Sequence, residues 1–269
     1  MARTSQKRFN VTHAPPTTPR DVRRAWDDRE LADPHAAPDK AKRVKRMFAA
    51  IAPSYDLNNR LHSLGLDRTW RQAAVRAGQV KPTDIVLDVA CGTGDLAMAF
   101  AQAGAKQVIG VDFTVAMLNL ALKKQPATQA GHALSYQAGD AMRLPLADQS
   151  VDILSIAFGI RNVQSPSAAL REFYRVLKPG GRLVILEFSL PRNALLRGLY
   201  NFYFRHVMPR TAAWIARDHC GAYRYLPQSV NTFLNRQEMK QRMREAGFGR
   251  LTDQALTFAI AVVYRAVKV

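Results

Sequence analysis

The sequence predicts an α/β fold in which helices cover a mostly parallel sheet of seven strands. Between residues 85 and 186, short apolar segments typical of strands alternate with amphipathic segments typical of helices. Alternation of this kind predicts parallel strands, because each helix carries the chain back across the sheet. The chain then closes with two apolar segments, residues 251–256 and 258–267, which are typical of an antiparallel hairpin.

The N-terminal residues 1–41 are predicted to form a disordered, basic tail. Five prolines interrupt any helical or strand period there, and residues 1–46 hold twelve Lys and Arg against six Asp and Glu. The first 20 residues contain no acidic side chain, as in an organelle transit peptide, but they lack the amphipathic helical pattern of such a signal. We therefore expect one folded domain over residues 42–269, in a chain whose hydrophobic fraction of 48% is sufficient for a single core.

The first predicted helix begins near residue 42, because apolar residues recur every three or four positions from Val44 to Ile51, ahead of Pro53. Strands are then predicted at 85–90, 108–111, 134–138, 151–156 and 182–186, with helices at 94–102, 116–123 and 168–177. The turn Pro179-Gly180-Gly181 precedes the fifth strand. Residues 190–246 are mostly helical and aromatic, so we predict a helical cap inserted before the final hairpin.

The chain carries a formal net charge of +18, which points to a polyanionic partner, either nucleic acid or an anionic membrane surface. No segment approaches the roughly 20 apolar residues that span a bilayer, and the N-terminus has no signal-peptide core, so we expect a cytoplasmic protein. Cys91 and Cys220 do not have the spacing of metal ligands. We therefore expect reduced thiols and no bound metal.

A glycine-containing turn marks the predicted cofactor site. An apolar strand that includes Asp88 is followed by Gly92 and Gly94, where a helix begins. Glycines let the backbone approach a ligand closely, and the first amides of the helix point towards it. Asp112 follows the next strand, 20 residues after Gly92, where a carboxylate accepts hydrogen bonds from both hydroxyls of a ribose. The pattern predicts a cofactor that contains a nucleoside.

Two such cofactors fit this turn. Gly92, Gly94 and Ala97 match the permissive dinucleotide fingerprint, so NAD has to be considered. Asp88 and Asp95 would crowd a pyrophosphate but suit a sulfonium and an α-amino group, which favours S-adenosyl-L-methionine. A tight turn that binds no ligand is the remaining alternative.

Several stretches of the chain after residue 45 resemble the ubiquinone and menaquinone biosynthesis C-methyltransferases, the UbiE/MenG type. They are residues 55–59 with Trp70, Phe158-Gly159-Ile160-Arg161-Asn162-Val163, residues 175–182 continuing to Glu187-Phe188-Ser189, and residues 222–226 with Ser229. Asn58, His62 and Asp67 depart from the residues usual in that family. The resemblance implies a Rossmann-like class I methyltransferase fold, with an antiparallel C-terminal strand and a helical substrate cap.

The resemblance also implies S-adenosyl-L-methionine-dependent C-methylation of a reduced prenylated quinone, in isoprenoid quinone biosynthesis. The substrate would be demethylmenaquinol, a 2-polyprenyl-6-methoxy-benzoquinol, or both. A class I methyltransferase that acts on another small molecule or on RNA is the alternative. A catalytically silent scaffold at the membrane is a third hypothesis, and the intact Gly92, Gly94, Asp112 and Arg161 argue against it.

The expected binding residues combine the turn with the resemblance. Asp140 follows the third strand, where its carboxylate would accept from the adenine amine, although the residue alone is equally consistent with a solvated turn. The expected cofactor-binding residues are Asp88, Gly92, Thr93, Gly94, Asp112, Asp140, Ala141 and Ala157, the last at a position where the family often has Ser. The expected substrate-binding residues are Tyr55, Asn59, Trp70 and Asn162.

Arg161, predicted at the carboxyl end of the fourth strand, is the expected catalytic residue. A ring carbon becomes nucleophilic once the neighbouring hydroxyl carries negative charge, which the site has to stabilise. A guanidinium is effectively always protonated, so we expect Arg161 to stabilise the hydroquinolate rather than to accept a proton. For moving a proton, Tyr223 ranks ahead of His206, Asp218 and His219 because it lies in a family-like stretch. A structural role within a helix is the alternative for each.

A predicted helix over residues 194–208 has an apolar, aromatic face from Leu196 to Val207 and a basic face with Arg197 and Arg205. This pattern predicts contact with an anionic membrane surface, at the inner membrane face, or a helix that covers the active site with its apolar face inward. No specific nucleic-acid partner is expected, since the fourth strand lacks the Asn- or Asp-Pro-Pro-aromatic motif of base methyltransferases. The sequence leaves a homodimer open.

Overall fold

The strands form one seven-stranded sheet in the order β3-β2-β1-β4-β5-β7-β6. The computed structural model describes residues 26, 28–125, 133–191, 193–203 and 221–269. The first five strands pair in parallel, and β7 lies antiparallel between β5 and β6, which confirms the predicted fold class and hairpin. The strands are β1 (Ile85–Val89), β2 (Gln107–Asp112), β3 (Ala133–Ala138), β4 (Val151–Ala157), β5 (Leu177–Phe188), β6 (Phe248–Leu256) and β7 (Ala261–Lys268).

Helices cover both faces of the sheet. They are α1 (Asp28–Ala32), α2 (Lys40–Ile51), α3 (Tyr55–His62), α4 (Leu66–Gly78), α5 (Asp95–Gln102), α6 (Val115–Lys124), α7 (Pro166–Val176), α8 (Ala194–Phe202), α9 (Ala222–Asn231) and α10 (Arg236–Glu245). One buried cluster joins α4 and α5 to the sheet, and another joins α7 and α10 to it. None of these helices is long and apolar enough to cross a bilayer.

A third buried cluster lies under a cap made of α1, α2, α8 and α9. Its core includes Val44 and Met47 from α2, Tyr200 from α8 and Tyr225 from α9. Phe113, directly after β2, packs against this cluster. The cap therefore covers the carboxyl edge of the parallel strands, where the open sheet of an α/β protein usually binds its ligand.

The boundary predicted between tail and domain was wrong, because residues from Trp26 onward pack against the cap. The Trp26 side chain is 1% exposed and stacks on Tyr225, with the ring centroids 4.8 Å apart. His35 Nε2 lies 2.9 Å from the carbonyl oxygen of Ser229, and Lys40 Nζ donates to that of Val163. A few apolar residues between prolines are enough for docking when they meet a surface that is already formed. Residues 1–25 of the predicted tail lie outside the described part.

The predicted cap, residues 190–246, also extends too far. Helix α10 buries Met239 and Met243 in the same cluster as Phe173 of α7 and Phe248 of β6, so it flanks the sheet. A capping box with Asn235 starts this helix independently of the cap. Composition identified a helix here, but it did not identify which surface the helix covers.

Candidate active site

The turn between β1 and α5 depends on glycine at two positions. Gly92 and Gly94 have φ angles of 56° and 84°, in the left-handed region that glycine adopts without strain. A Cβ atom on Gly94 would lie 2.3 Å from the hydroxyl oxygen of Tyr136, so the position has no room for a side chain. Gly92 N donates to Asp112 Oδ2 at 2.9 Å, which attaches the turn to the end of β2.

A groove follows the carboxyl ends of β1 to β4 and contains seven of the eight predicted cofactor residues. It consists of two adjoining depressions that share Tyr55, Ala90, Gly92, Ala157 and Phe158. Its predicted residues are Asp88, Gly92, Thr93, Asp112, Asp140, Ala141 and Ala157. Gly94 does not line either depression, and its contact with a cofactor stays a prediction.

At one end of the groove, Asp112 and Asp140 present carboxylates held by backbone amides. The two oxygens of Asp112 accept from Gly92 N at 2.9 Å and Thr114 N at 2.8 Å, and lone pairs remain for a ligand. Burial raises the pKa of Asp112, and these two amides oppose the rise. Asp140 Oδ1 accepts from Met142 N at 2.9 Å, so Asp140 is both an exposed turn residue and part of the groove wall.

At the other end, Asp88 has an unsatisfied acceptor. The residue is 1% exposed, and its Oδ1 accepts from Ser155 Oγ at 2.7 Å. Its Oδ2 is buried and has no hydrogen-bond partner among the described residues. Burial raises the pKa of Asp88 to about 7. A cationic group bound beside this carboxylate would stabilise its ionised form.

A polar network connects the cap to the turn. Thr93 Oγ1 donates to Asp56 Oδ1 at 2.6 Å, and Lys124 Nζ contacts Asp56 Oδ2 at 2.8 Å and Thr93 Oγ1 at 3.1 Å. Lys124 also pairs with Asp95. Helix α3, which carries Asp56, is thereby fixed over the groove. The hydroxyl of Thr93 serves this attachment, while the residue itself lines the groove.

A cavity of about 360 Å³, mainly apolar, lies between the cap and the sheet edge. Its volume falls in the range of small-molecule sites, roughly 300 to 1,000 Å³. Of the predicted substrate residues, Tyr55, Asn59 and Trp70 line this cavity, whereas Asn162 lines the groove. Tyr55 and Phe158 line both spaces, so the groove and the cavity meet at these side chains.

Arg161 lies at the wall of the cavity, 4% exposed, in a short helical turn after β4. Its Nη1 pairs with Glu187 Oε1 at 2.5 Å and donates to the carbonyl oxygen of Phe158 at 2.8 Å. Its Nε contacts Ser229 Oγ at 3.4 Å, and the guanidinium stacks on Phe188. Nη2 has no hydrogen bond to the described residues. The Arg161 guanidinium is therefore held in one orientation, and its Nη2 group can donate hydrogen bonds to a ligand in the cavity.

Helix α8 places its apolar face inward, as one of the two sequence hypotheses expected. Leu196 and Tyr200 of this helix line the cavity, together with Tyr203 directly after it. On the other side, Leu195 and Phe202 are 74% and 61% exposed. The helix is thus part of the cap, and its outer surface is also partly apolar.

The predicted proton-transfer residues fall mostly outside the described part. His206, Asp218 and His219 lie in a range that the structure does not describe, and of Tyr223 only the position in α9 is known. Sequence reasoning missed Tyr225, whose hydroxyl donates to Asn162 Oδ1 at 2.9 Å and whose ring lines the cavity. The four-residue spacing of Tyr225 and Ser229, which places both on one helix face, was the available signal.

The order of the strands, with an antiparallel β7 between β5 and β6, is that of the class I methyltransferase fold. A solved S-adenosylmethionine-dependent methyltransferase from Thermotoga maritima matches with a TM-score of 0.58 and 22% identity, over 84% of this chain and 100% of that one. The phosphoethanolamine N-methyltransferase 2 of Haemonchus contortus, solved with S-adenosyl-L-methionine, matches with a TM-score of 0.54 and 17% identity, over 74% of this chain and 52% of that one. These similarities establish the fold.

Within this class, the chain belongs to the ubiE/COQ5 methyltransferase family, whose model matches residues 37–268. It is 45% identical to the demethylmenaquinone methyltransferase of Deinococcus radiodurans, over 83% of this chain and 91% of that protein. It is 42% identical to the ubiquinone/menaquinone biosynthesis C-methyltransferase UbiE of Geotalea daltonii, over 84% of this chain and 96% of that protein. The resemblance found in the sequence is therefore confirmed.

Proposed function

We propose that this protein transfers a methyl group from S-adenosyl-L-methionine to a ring carbon of a reduced, prenylated quinone in isoprenoid quinone biosynthesis. The observation that carries the proposal is a mainly apolar cavity that has Arg161 in its wall and adjoins the groove at Tyr55 and Phe158. Demethylmenaquinol and 2-polyprenyl-6-methoxy-benzoquinol both have an aromatic ring and an apolar chain suited to such a cavity. The names of the relatives support these two substrates.

The groove residues fit S-adenosyl-L-methionine. Asp112 would accept from the ribose hydroxyls, and Asp140 and Ala141 would lie against the adenine. The orphaned Oδ2 of Asp88 suits a cationic group, and the cofactor carries both an ammonium and a sulfonium. When bound, the cofactor supplies an electrophilic methyl group.

Arg161 would stabilise the negative charge of the hydroquinolate through its Nη2 edge. Glu187 and the Phe158 carbonyl hold the guanidinium in one orientation, so little reorganisation is needed as charge develops on the ring oxygen. The guanidinium keeps its proton, which assigns proton removal to another group. Tyr223 remains the predicted candidate for that step.

Methyl transfer from labelled S-adenosyl-L-methionine to the two reduced rings, with wild type and Arg161→Ala, tests the proposal. We expect labelled quinone from the wild type, and a kcat reduced roughly 100- to 1,000-fold in the variant, as for loss of an oxyanion-stabilising donor. Binding of S-adenosylhomocysteine should change less than twofold.

Arg182→Ala is the matched control for the Arg161 variant. Arg182 is a second buried arginine, 8% exposed and paired with Asp84 at 2.7 Å, but it does not line the cavity. It should retain kcat in the folded fraction. If neither ring is methylated while S-adenosylhomocysteine still binds, the acceptor is a different small molecule or RNA.

We also propose contact with the anionic surface of the inner membrane, because a prenylated quinone resides in a bilayer. Two apolar side chains at the cavity rim, Leu64 and Phe258, are 86% and 76% exposed. Exposed Arg60 and Arg68 flank Leu64 in the sequence, which suits anionic headgroups. A prenyl chain leaving the cavity between Leu64 and Phe258 would then enter the lipid directly.

A further inference from the structure

We infer that Arg71 binds the α-carboxylate of the cofactor's methionine portion. Arg71 lies in α4, and it lines the groove beside Gly92 and Thr93 as well as the adjoining cavity. The inference rests on the proposed function, since it takes S-adenosyl-L-methionine as the cofactor. It adds a binding residue that neither the glycine turn nor the family-like stretches pointed to.

The end of the groove beside Asp88 has more acidic than basic side chains. Asp88 and Asp95 line it as acids, and Arg71 is the cation that lines it among the described residues. The methionine portion of the cofactor brings an ammonium, a sulfonium and a carboxylate. The two aspartates suit the two cationic groups, while the carboxylate needs charged donors in a site with little water.

Arg71 has donors available for such a carboxylate. Its side chain is 12% exposed, and Nη1 pairs with Asp67 Oδ2 at 2.5 Å. Nη2 lies 3.8 Å from Asp95 Oδ2, which is beyond hydrogen-bond distance, and neither Nη2 nor Nε has a hydrogen bond to the described residues. Asp67 thus holds one corner of the guanidinium and leaves the Nε–Nη2 edge, which has the geometry for a two-point contact with a carboxylate.

Lys124, the other cation near the turn, is a weaker candidate. Its ammonium already has three acceptors, in Asp56, Thr93 and Asp95, and it does not line the groove. An ammonium has three donors, so these contacts use its full capacity. A ligand carboxylate would have to break the network that attaches α3.

The test compares two ligands that differ only in the carboxylate, namely S-adenosylhomocysteine and its decarboxylated analogue S-adenosyl-3-thiopropylamine. Dissociation constants are measured by calorimetry for wild type, Arg71→Met, Arg71→Lys and Arg76→Met. Arg76 is an exposed arginine of the same helix outside the groove, so its variant controls for net charge. We expect Arg71→Met to weaken S-adenosylhomocysteine roughly 10- to 100-fold and to leave the decarboxylated ligand within twofold.

Arg71→Lys should recover part of the affinity, and Arg76→Met should bind both ligands as the wild type does. Equal weakening of both ligands by Arg71→Met would mean a structural role and would overturn the inference, as would unchanged binding of S-adenosylhomocysteine. Retained binding of the decarboxylated ligand shows that the variant is folded. If the wild type bound neither ligand, the proposed function itself would fail.

Discussion

Among single residues, Asp88 links the cofactor site to pH. Its pKa of about 7 means that the free protein holds a proton there in mildly acidic solution. A ligand ammonium or sulfonium favours the ionised form, so binding below pH 7 has to release that proton. Affinity for the cofactor and protonation of Asp88 therefore oppose each other.

We expect the dissociation constant of S-adenosylhomocysteine to fall about fivefold as the pH rises from 6 to 7, and about twofold more between pH 7 and 8, where it levels off. Calorimetry at pH 6, 7 and 8 measures this. Asp88→Asn, which keeps the shape of the side chain, should bind more weakly at pH 8 and show no such dependence. Equal affinity of the wild type at pH 6 and pH 8 would contradict the assignment.

The free protein should respond to pH in the opposite sense. The folded-state pKa of Asp88 is raised above the unfolded value of 3.8, so the folded state binds more protons and loses stability as the pH rises from about 4 to about 7. The difference in melting temperature between the wild type and Asp88→Asn, measured across this pH range, reports the contribution of Asp88 to stability. The comparison with Asp88→Asn is needed because burial also lowers the pKa values of His35 and His62, so these two side chains contribute to the pH dependence of both proteins.

The sequence predicted single residues well where a motif fixes the backbone. Asp88 and Asp112 lie in the last residues of β1 and β2, and Arg161 lies shortly after β4, so the strand pattern places all three at one sheet edge. Glu187 lies in one of the family-like stretches, but its ion pair with Arg161 links β5 to the turn after β4, and no local sequence pattern indicates it. Arg71 lies in an ordinary helix, and its contact with the groove arises only from the packing of α4.

Among the elements, the β1–α5 turn makes a prediction about stability. Gly94→Ala would place Cβ 2.3 Å from Tyr136 Oη, in addition to the cost of a left-handed backbone. Gly104 has a φ of 89° and nothing within 4 Å of its Cβ position, so Gly104→Ala carries the backbone cost alone. We expect about 1 to 2 kcal/mol for Gly104→Ala and about 1 to 3 kcal/mol more for Gly94→Ala.

Urea unfolding of the two glycine variants measures the difference. Tyr136→Phe in the Gly94→Ala background removes the nearest atom and should recover part of the lost stability. Equal destabilisation by the two alanines would mean that the turn can move away from β3, and would contradict the close packing described.

The predicted elements agree with the structure where periodicity is local. Strands β1 to β4 begin and end within two residues of their predicted bounds, because each has a short segment rich in apolar residues next to a turn. The misplaced tail and cap have a different cause. An amphipathic segment shows that it has an apolar face. It does not show that Trp26 stacks on Tyr225, or that Met239 shares a cluster with Phe173, because these pairs are more than 60 positions apart in the sequence.

For the whole molecule, the charge of +18 and the apolar rim predict membrane association. We expect binding to vesicles with anionic lipid, weakening with salt, and little binding to zwitterionic vesicles. Replacing Leu64 and Phe258 together by Ser should lower the partition coefficient about tenfold, because two exposed apolar side chains can no longer enter the interface. Cosedimentation measures both effects.

Leu122→Ser is the control for the rim variant, since Leu122 is 54% exposed on α6 and does not line the cavity. It should bind vesicles as the wild type does. An equal loss in the control, or no preference for anionic vesicles, would count against the proposed surface.

The contact of the N-terminal segment with α9 constrains the order in which the protein is assembled during translation. His35 and Ser229 are 194 positions apart, so the ribosome has made the whole parallel sheet before the partner of His35 exists. Closing so long a loop is slow and entropically costly. The cap of α1, α2, α8 and α9 therefore closes only after the parallel strands β1 to β5 have been made.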